Sequence, residues 1–351
     1  MRKANVLTLR PFHYVTPSIS TMTVMSLCVL APQVLMLFLT GSFASLSILL
    51  ACVLASCAAE AVDALLIRRR AYDVPVTLLQ GVLTGMLLPP AYPVATIFLI
   101  ILMTLFIVKY PFGGIAGSWV NPVAICVVVA YFIGSIWFPA FIIPPQYLQS
   151  HNTSLLLINE GMFPALGFDP AVTDFLNGAV FSRLGTNIPE GYVSLLWDTG
   201  ATIPAFRFNL LTLLGSLVLF STRSLGWEVP LSFLLSYSLL VWLLCPLFAG
   251  GAVGNGDVIL ALLTGGTLFT AFFVASWFGT APMTAAGKVA FGTATGVAAF
   301  LISGYGLSAA GAMFSVFCGN ICSLLIQMVE HVYSERRLGR DPQPVHVQER
   351  N

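Results

Sequence analysis

The run Val94-Ala95-Thr96-Ile97-Phe98-Leu99-Ile100-Ile101-Leu102-Met103-Thr104-Leu105-Phe106-Ile107-Val108-Lys109 carries no charge before its closing lysine. It has no polar face to turn toward water, so it belongs in a bilayer, with the lysine marking an interface. Comparable apolar runs precede it near 20–40, 43–67 and 74–90 and follow it near 122–143. Five more fall near 208–222, 228–248, 256–277, 287–303 and 308–330. The whole chain is 58% hydrophobic and only 8% charged over 351 residues, too few charges to cover a soluble globule. The reading is an all-α integral membrane protein of about ten transmembrane helices, each needing roughly 17–25 residues to cross unaided. Pro and Gly interrupt several runs, which membrane helices tolerate because neighbours re-satisfy the freed backbone groups.

Five spans, one long polar loop and five more spans divide the chain into an N-terminal repeat (1–143), a loop (144–207), a C-terminal repeat (208–332) and a charged tail (333–351). With the N-terminus inside, the inner segments receive Arg2, Lys3, Arg10, Arg68, Arg69, Arg70, Lys109, Arg223, Lys288, Arg336, Arg337, Arg340 and Arg350. Only Arg183 and Arg207 of the 15 basic residues fall outside. That bias predicts cytoplasmic termini and a 144–207 loop on the opposite face, the periplasm of a bacterial inner membrane. The first span lacks a small-residue cleavage site and reads as an anchor. The net charge of +1 says nothing about nucleic acid, and the positions of the charges matter more than their sum; the expected surroundings are membrane lipid, with no nucleic-acid partner.

The outer loop holds Asp198-Thr199-Gly200-Ala201-Thr202-Ile203-Pro204. Thr-Gly-Ala-Thr has almost no steric bulk, so a modifying enzyme can grip the backbone and reach the final hydroxyl, that of Thr202; an ordinary turn is the plainer reading of such a short motif. Within the membrane, Glu60 and Asp63 share a helix face and define either an ion path or a snorkelling group paired with Arg68, Arg69 or Arg70. Lys109 is either a topology anchor or a ligand contact. Gly113, Gly114 and Gly117 ahead of Asn121-Pro122 suggest irregular backbone at a helix start, whose free N–H groups can face a ligand. The seven cysteines lie almost wholly in spans without a close pair, so buried thiols are expected rather than a metal or iron–sulfur centre.

An odd number of spans per half inverts the second half relative to the first. Two short echoes fit such inverted repeats: Leu83-Thr84-Gly85 with Leu263-Thr264-Gly265, and Lys109 before Phe112-Gly113 with Lys288 before Phe291-Gly292. Inverted repeats with broken spans commonly place a ligand near mid-membrane.

Taken with Gly81-Val82-Leu83-Thr84-Gly85-Met86-Leu87-Leu88-Pro89-Pro90, Lys109-Tyr110-Pro111-Phe112-Gly113-Gly114, Asn121-Pro122 and Gly265-Gly266 ahead of Phe272-Phe273-Val274-Ala275, these stretches resemble the RnfD/NqrB family. Its members are flavin-carrying membrane subunits of the Rnf and sodium-pumping NADH:quinone oxidoreductase complexes, and the short N-terminal segment resembles RnfD more than NqrB. The resemblance implies a urea-channel-like fold and FMN joined to Thr202 by a phosphodiester through a dedicated flavin transferase, with Thr199, Gly200 and Ala201 shaping the acceptor. It further implies a noncovalent flavin such as riboflavin within the bundle; Lys109, Gly113, Gly114 and Asn121 remain the candidate cofactor contacts on the residue reading above, Lys109 toward a flavin phosphate or ring oxygen, and since no Gly-rich nucleotide loop follows a strand, pyridine nucleotide is expected on a partner subunit. Two departures stand out. The family's acidic residue usually lies two positions before the motif, where this chain has Asp198 directly adjacent, and the family's Ala-Thr-Asp-Pro is replaced by Ala275-Ser276-Trp277-Phe278. The rival class is a passive channel or transporter without redox chemistry.

Overall fold

The computed structural model describes residues 17–67, 74–112, 114, 118–139, 145–148, 153–247, 253–305 and 309–338. The fold is all-α. In the first half, α1 (Ile19–Leu39), α2 (Phe43–Ile67), α3 (Val74–Met86), α4 (Val94–Val108) and α5 (Pro122–Gly134) follow the apolar runs. The second half brings α9 (Asn209–Ser221), α10 (Glu228–Leu244), a broken segment, α13 (Ala285–Ala299) and α14 (Gly311–Leu338). Between the halves, residues 144–207 are not a plain loop. They hold three short helices, α6 (Ser154–Asn159), α7 (Asp169–Ala179) and α8 (Tyr192–Trp197), the last of which packs against α7 and against the α9 and 258–264 helices of the second half.

Among the described residues, four helices are long and apolar enough to cross a membrane: Ile19–Leu39, Phe43–Leu66, Ala285–Ser303 and Gly311–Glu335. Five more apolar helices are shorter, Val74–Met86 and Asn209–Ser221 among them. Thirteen residues of α-helix rise about 20 Å, less than the roughly 30 Å hydrocarbon core, so such a helix needs flanking non-helical chain to complete a crossing. The eighth run is divided outright. α11 (Val258–Thr264) stops at Gly265, Gly266 turns left-handed at φ +64°, and α12 (Thr267–Phe269) continues into a π-helical turn over Thr270–Val274. Irregular backbone at this depth persists because it is buried in protein, where Thr270, Ala271 and Val274 are fully enclosed. α14 runs on to Leu338, carrying helix into the segment read as tail.

Close packing rests on paired glycines. A Cβ on Gly81 or Gly85 of α3 would lie 2.6 Å from Val53 Cα or 2.5 Å from Leu49 Cα of α2. On α13, Gly292 and Gly296 leave the same clearance against the carbonyls of Val229 and Phe233 in α10, at 2.6 and 2.5 Å. Without lipid-excluding force between helices, such small-residue seams supply van der Waals contact instead. The halves also meet through corresponding helices. α1 packs on α9, where Gln33 Nε2 donates to Thr212 Oγ1 at 3.2 Å, and α5 packs on α14, where Tyr131 meets Phe314 edge-on at 5.5 Å. Of the two sequence echoes, Leu83-Thr84-Gly85 and Leu263-Thr264-Gly265 both close a helix, each threonine hydroxyl donating four residues back, to Gln80 O at 2.7 Å and Leu260 O at 2.6 Å. Lys109 and Lys288 do not correspond: one follows the end of α4, the other sits in the first turn of α13.

Candidate functional site

The Thr202 loop is built as a closed ring of chain between α8 and α9. Asp198 leaves α8 in extended conformation and is gripped two-pronged by Arg207, Nε to Oδ1 at 3.1 Å and Nη2 to Oδ2 at 2.6 Å. The third guanidinium nitrogen reaches Ser42 Oγ between α1 and α2 at 2.9 Å, and the guanidinium lies 5.0 Å from the Phe208 ring centroid. Backbone and side chain reinforce that closure, because Thr199 N–H donates to Arg207 O at 3.1 Å and Thr199 Oγ1 donates to Phe206 O at 2.8 Å. Inside the ring, Gly200 N–H donates to Asp198 Oδ1 at 2.8 Å and Ala201 N–H to Thr199 Oγ1 at 3.2 Å. Gly200 adopts φ +67°, and a Cβ there would stand 2.9 Å from Pro164 Cδ, so the turn needs glycine twice over.

The two threonines of the motif therefore differ in kind. Thr199 is 1% exposed and its hydroxyl is engaged on both sides, whereas Thr202 is exposed at the apex of the ring. Ile203, Pro204, Ala205 and Phe206 are buried behind it and fix the apex to the bundle. The adjacent acidic residue has a structural role, since Asp198 holds the ring shut. Sequence reading left Arg207 as a topology count; its signal was an opposite charge bracketing the motif nine residues on.

Behind the ring lies the broken segment. Asn209 Nδ2 donates to the terminal carbonyls of two helices, Leu195 O at 3.1 Å and Leu263 O at 2.6 Å. The Phe206 ring fills the space a Cβ on Gly266 would need, 1.9 Å from its Cε1. The segment between the halves is fixed by a buried carboxylate, Asp169, which accepts from Gly191 N, Thr173 Oγ1, Ser194 N and Ser194 Oγ at 2.5–3.0 Å. Burial alone would push this carboxyl up, but those bonds, led by Gly191 N–H and the Ser194 hydroxyl, outweigh it and hold Asp169 below its ordinary value.

The remaining candidates lie elsewhere. Lys109 is 2% exposed and pairs with Glu60 Oε2 at 3.2 Å, an oxygen that also accepts from Tyr110 OH at 3.0 Å and Thr77 Oγ1 at 3.3 Å. Glu60 thus has a partner 49 positions away, one the sequence alternatives did not include. Asp63 is buried at 6% exposure. Arg68, Arg69 and Arg70 lie outside the described residues, as do Gly113 and Gly117. Gly114 turns left-handed at φ +76° and its N–H closes on Lys109 O at 3.1 Å. Asn121 caps α5 through Oδ1, accepting from Val123 N and Ala124 N, and donates Nδ2 to Val274 O at the end of the broken segment at 2.7 Å. After the aromatic pair, Trp277 is buried and Ser323 of α14 donates to Thr280 O at 2.7 Å, so packing and neutral hydrogen bonds hold this stretch.

Residues 6–334 match the model of the NQR2, RnfD, RnfE family. The chain belongs to this family. It is similar to the D component of the ion-translocating oxidoreductase complex of Actinobacillus pleuropneumoniae serotype 5b, 28% identical over 300 residues, covering 78% of this chain and 81% of that protein. The corresponding D components of Sodalis glossinidius and Pectobacterium atrosepticum are each 29% identical over 283 residues, covering 75% and 71% of this chain and 77% and 74% of their own lengths. The chain is accordingly a multi-pass membrane protein of the RnfD family, which agrees with its apolar helices.

Proposed function

We propose that this chain is the member of an Rnf-type ion-translocating complex that relays electrons through FMN carried on Thr202. Ten helical segments in two inverted halves form the bundle, termini lie in the cytoplasm of a bacterial inner membrane, and the 144–207 layer faces the periplasm. The meeting of α1 with α9 and of α5 with α14 supports the pseudo-twofold arrangement, because those pairs hold equivalent places in the two halves. The single observation that carries the flavin reading is the division of labour in the motif: Thr199 is bound into the ring while Thr202 is held out at its apex. Such a loop suits a flavin transferase. The Thr202 oxygen forms a new bond to the FMN phosphorus of an activated donor, the hydroxyl proton is lost, and the donor's leaving group departs. When bound, the flavin supplies two-electron acceptance with one-electron release; the protein supplies its position and its surroundings. Electrons arrive from and leave to neighbouring subunits, and ion movement belongs to the whole complex.

Toward a noncovalent flavin, Lys109 Nζ spends one of its three donors on Glu60, while Asn121 is bonded to Val123, Ala124 and Val274. The buried amides of Gln80 and Asn320 and the hydroxyls of Thr270 and Ser276 have no hydrogen-bond partner among the described residues. They sit on α3, on α14 and on or just after the broken segment; α3 packs on α5, and α14 on both α5 and the π-helical turn. Unpaired buried amides cost about 1–3 kcal/mol each, which a ligand with complementary edges offsets. The test of the central claim is direct. Denatured polypeptide from cells that express the transferase should fluoresce on a gel and gain the mass of FMN less water, and Thr202→Ala should abolish both. Unmodified Thr202 in protein from its native host sinks the reading.

A further inference from the structure

α9 ends at Ser221 and α10 begins at Glu228, and the turn between them borders a cleft of about 710 Å³ that shares no residue with the Thr202 ring. We propose that this cleft binds one glycerophospholipid with a zwitterionic, primary-amine head group. Arg223 takes its phosphate, Glu228 takes its ammonium, and an acyl chain lies between α9 and α10 against the broken segment. The turn is shaped around Arg223. This residue adopts φ +54°, in the left-handed region that a side chain with a Cβ rarely enters, and it alone does so among the described non-glycine residues. Its N–H closes on Phe220 O at 3.1 Å, while Ser224 N–H and Leu225 N–H both return to Leu219 O, at 2.9 and 3.2 Å, so it ends α9 where glycine usually serves. Glycine would close the turn with less strain; what arginine adds is a guanidinium at the border of the cleft. Arg223 has an interaction of its own in the structure, and five N–H donors leave capacity for a phosphate besides.

Charge selects the head group. Glu228, in the first turn of α10, borders the same cleft, and its carboxylate stands over Gly226, where a Cβ would come within 2.7 Å of Oε2. One cation and one carboxylate at a single cleft complement a phosphate and an ammonium; a purely anionic head group would set nothing opposite Glu228. Trp227 between them is 61% exposed, an amphipathic ring of the kind that sits at head-group level. Away from these charges the lining is apolar. Leu225 and Phe272 are nearly buried, Phe220 meets Phe272 edge-on at 6.0 Å, and Leu231 and Leu234 line the cleft from one face of α10. Phe272 belongs to the π-helical turn, so a chain lying here rests on the discontinuity of the eighth run. The volume falls within the usual range for small-molecule sites, about 300–1,000 Å³, enough for a head group and the upper part of one chain while the rest of the lipid stays in the bilayer. On the proposed orientation Arg223 is cytoplasmic, and the lipid comes from that leaflet.

Native mass spectrometry of the full-length chain in detergent tests the site. After delipidation, incubation with equal concentrations of dioleoyl phosphatidylethanolamine, phosphatidylglycerol and phosphatidylcholine should leave one phosphatidylethanolamine per chain, retained at collision energies that strip the other two. Arg223→Asn removes the cation but keeps a residue that tolerates the left-handed turn. It should lower that retention about tenfold, with the unfolding temperature of the delipidated protein unchanged or raised, and Arg223→Lys should keep part of it. Glu228→Gln should abolish the preference for phosphatidylethanolamine over phosphatidylcholine. Leu234→Trp, which fills the apolar part of the cleft, should lower retention of every lipid. The chain released from the undelipidated complex should carry the same phosphatidylethanolamine. Equal retention of the three lipids by the wild type, a preference for phosphatidylglycerol, an adduct as stable in Arg223→Asn as in the wild type, or a chain released bare from the complex overturns the site.

Discussion

Thr199 and Thr202 are chemically identical and three positions apart, and the ring treats them in opposite ways. Thr202→Ala removes one exposed hydroxyl and should change stability by less than about 0.5 kcal/mol while eliminating the flavin label. Thr199→Ala removes a donor to Phe206 O and an acceptor for Ala201 N–H, a loss of about 1–2 kcal/mol of loop order, and should leave partial label. Thr202→Ser keeps the nucleophile and should retain part of it. In-gel fluorescence and intact mass, compared at equal protein, read all three. The motif's small residues made Thr202 legible in the sequence. The role of Asp198 was not, because its meaning depends on Arg207 and on Ser42, 165 positions from that arginine. Asp169 was equally silent, a carboxylate whose four donors come from three separate places in the chain. Its folded pKa lies below the ordinary 3.8, so its contribution is fully present above that value and is lost as pH falls through the folded pKa. Asp169→Asn replaces an acceptor with an amide facing the Ser194 donors and should cost about 2–3 kcal/mol, seen as faster proteolysis of the 154–197 layer at neutral pH.

Helix boundaries followed hydrophobicity closely, since a bilayer leaves the chain no other way to satisfy its backbone. Runs were nonetheless overestimated where proline and glycine end a helix early: 74–90 yields only Val74–Met86, and 256–277 divides at Gly265-Gly266. Composition cannot reveal such breaks, because the residues after them remain apolar. Two element contacts are testable. Gly296→Leu places a branched side chain where Phe233 O stands 2.5 Å from a bare Cβ, so α10 and α13 must separate; the yield of folded protein in detergent should collapse, while Gly178→Leu, with open space around it, should not. The Lys109–Glu60 pair ties α2 to the end of α4. Lys109→Met leaves the half-buried Glu60 carboxylate without its cation, held only by Tyr110 and Thr77, and should cost about 3 kcal/mol, and Lys109→Met with Glu60→Gln should recover much of it. Thermal unfolding of the two variants decides between a structural pair and a lysine reserved for a ligand. Replacing Glu60 by Gln and Asp63 by Asn should reduce ion transport more than flavin content if this face lines an ion path, and unchanged transport leaves both as structural groups.

At the scale of the molecule, the orientation rests on charge. Arg207 is bound two-pronged by Asp198, so on the proposed orientation this arginine would cross as part of a neutral pair and weigh little against the remaining bias. On the same proposed orientation Arg183 is the other basic residue of that segment, and long segments translocate largely regardless of a single charge. The prediction is that the helical layer between the halves and the end of α14 lie on opposite faces. Ser182 and Ser334 are both exposed and mark the two places. In a background with Cys28, the exposed native thiol, replaced by serine, a cysteine at position 182 should react with an impermeant maleimide in cells whose outer membrane is permeabilised. A cysteine at 334 should react only after the inner membrane is opened. Equal labelling at both positions in intact spheroplasts would place the α6–α8 layer and the end of α14 on one face. That result would leave the second half with an even span count, unlike the five of the first, and would remove the equivalence of the halves on which the pairing of α1 with α9 and α5 with α14 rests.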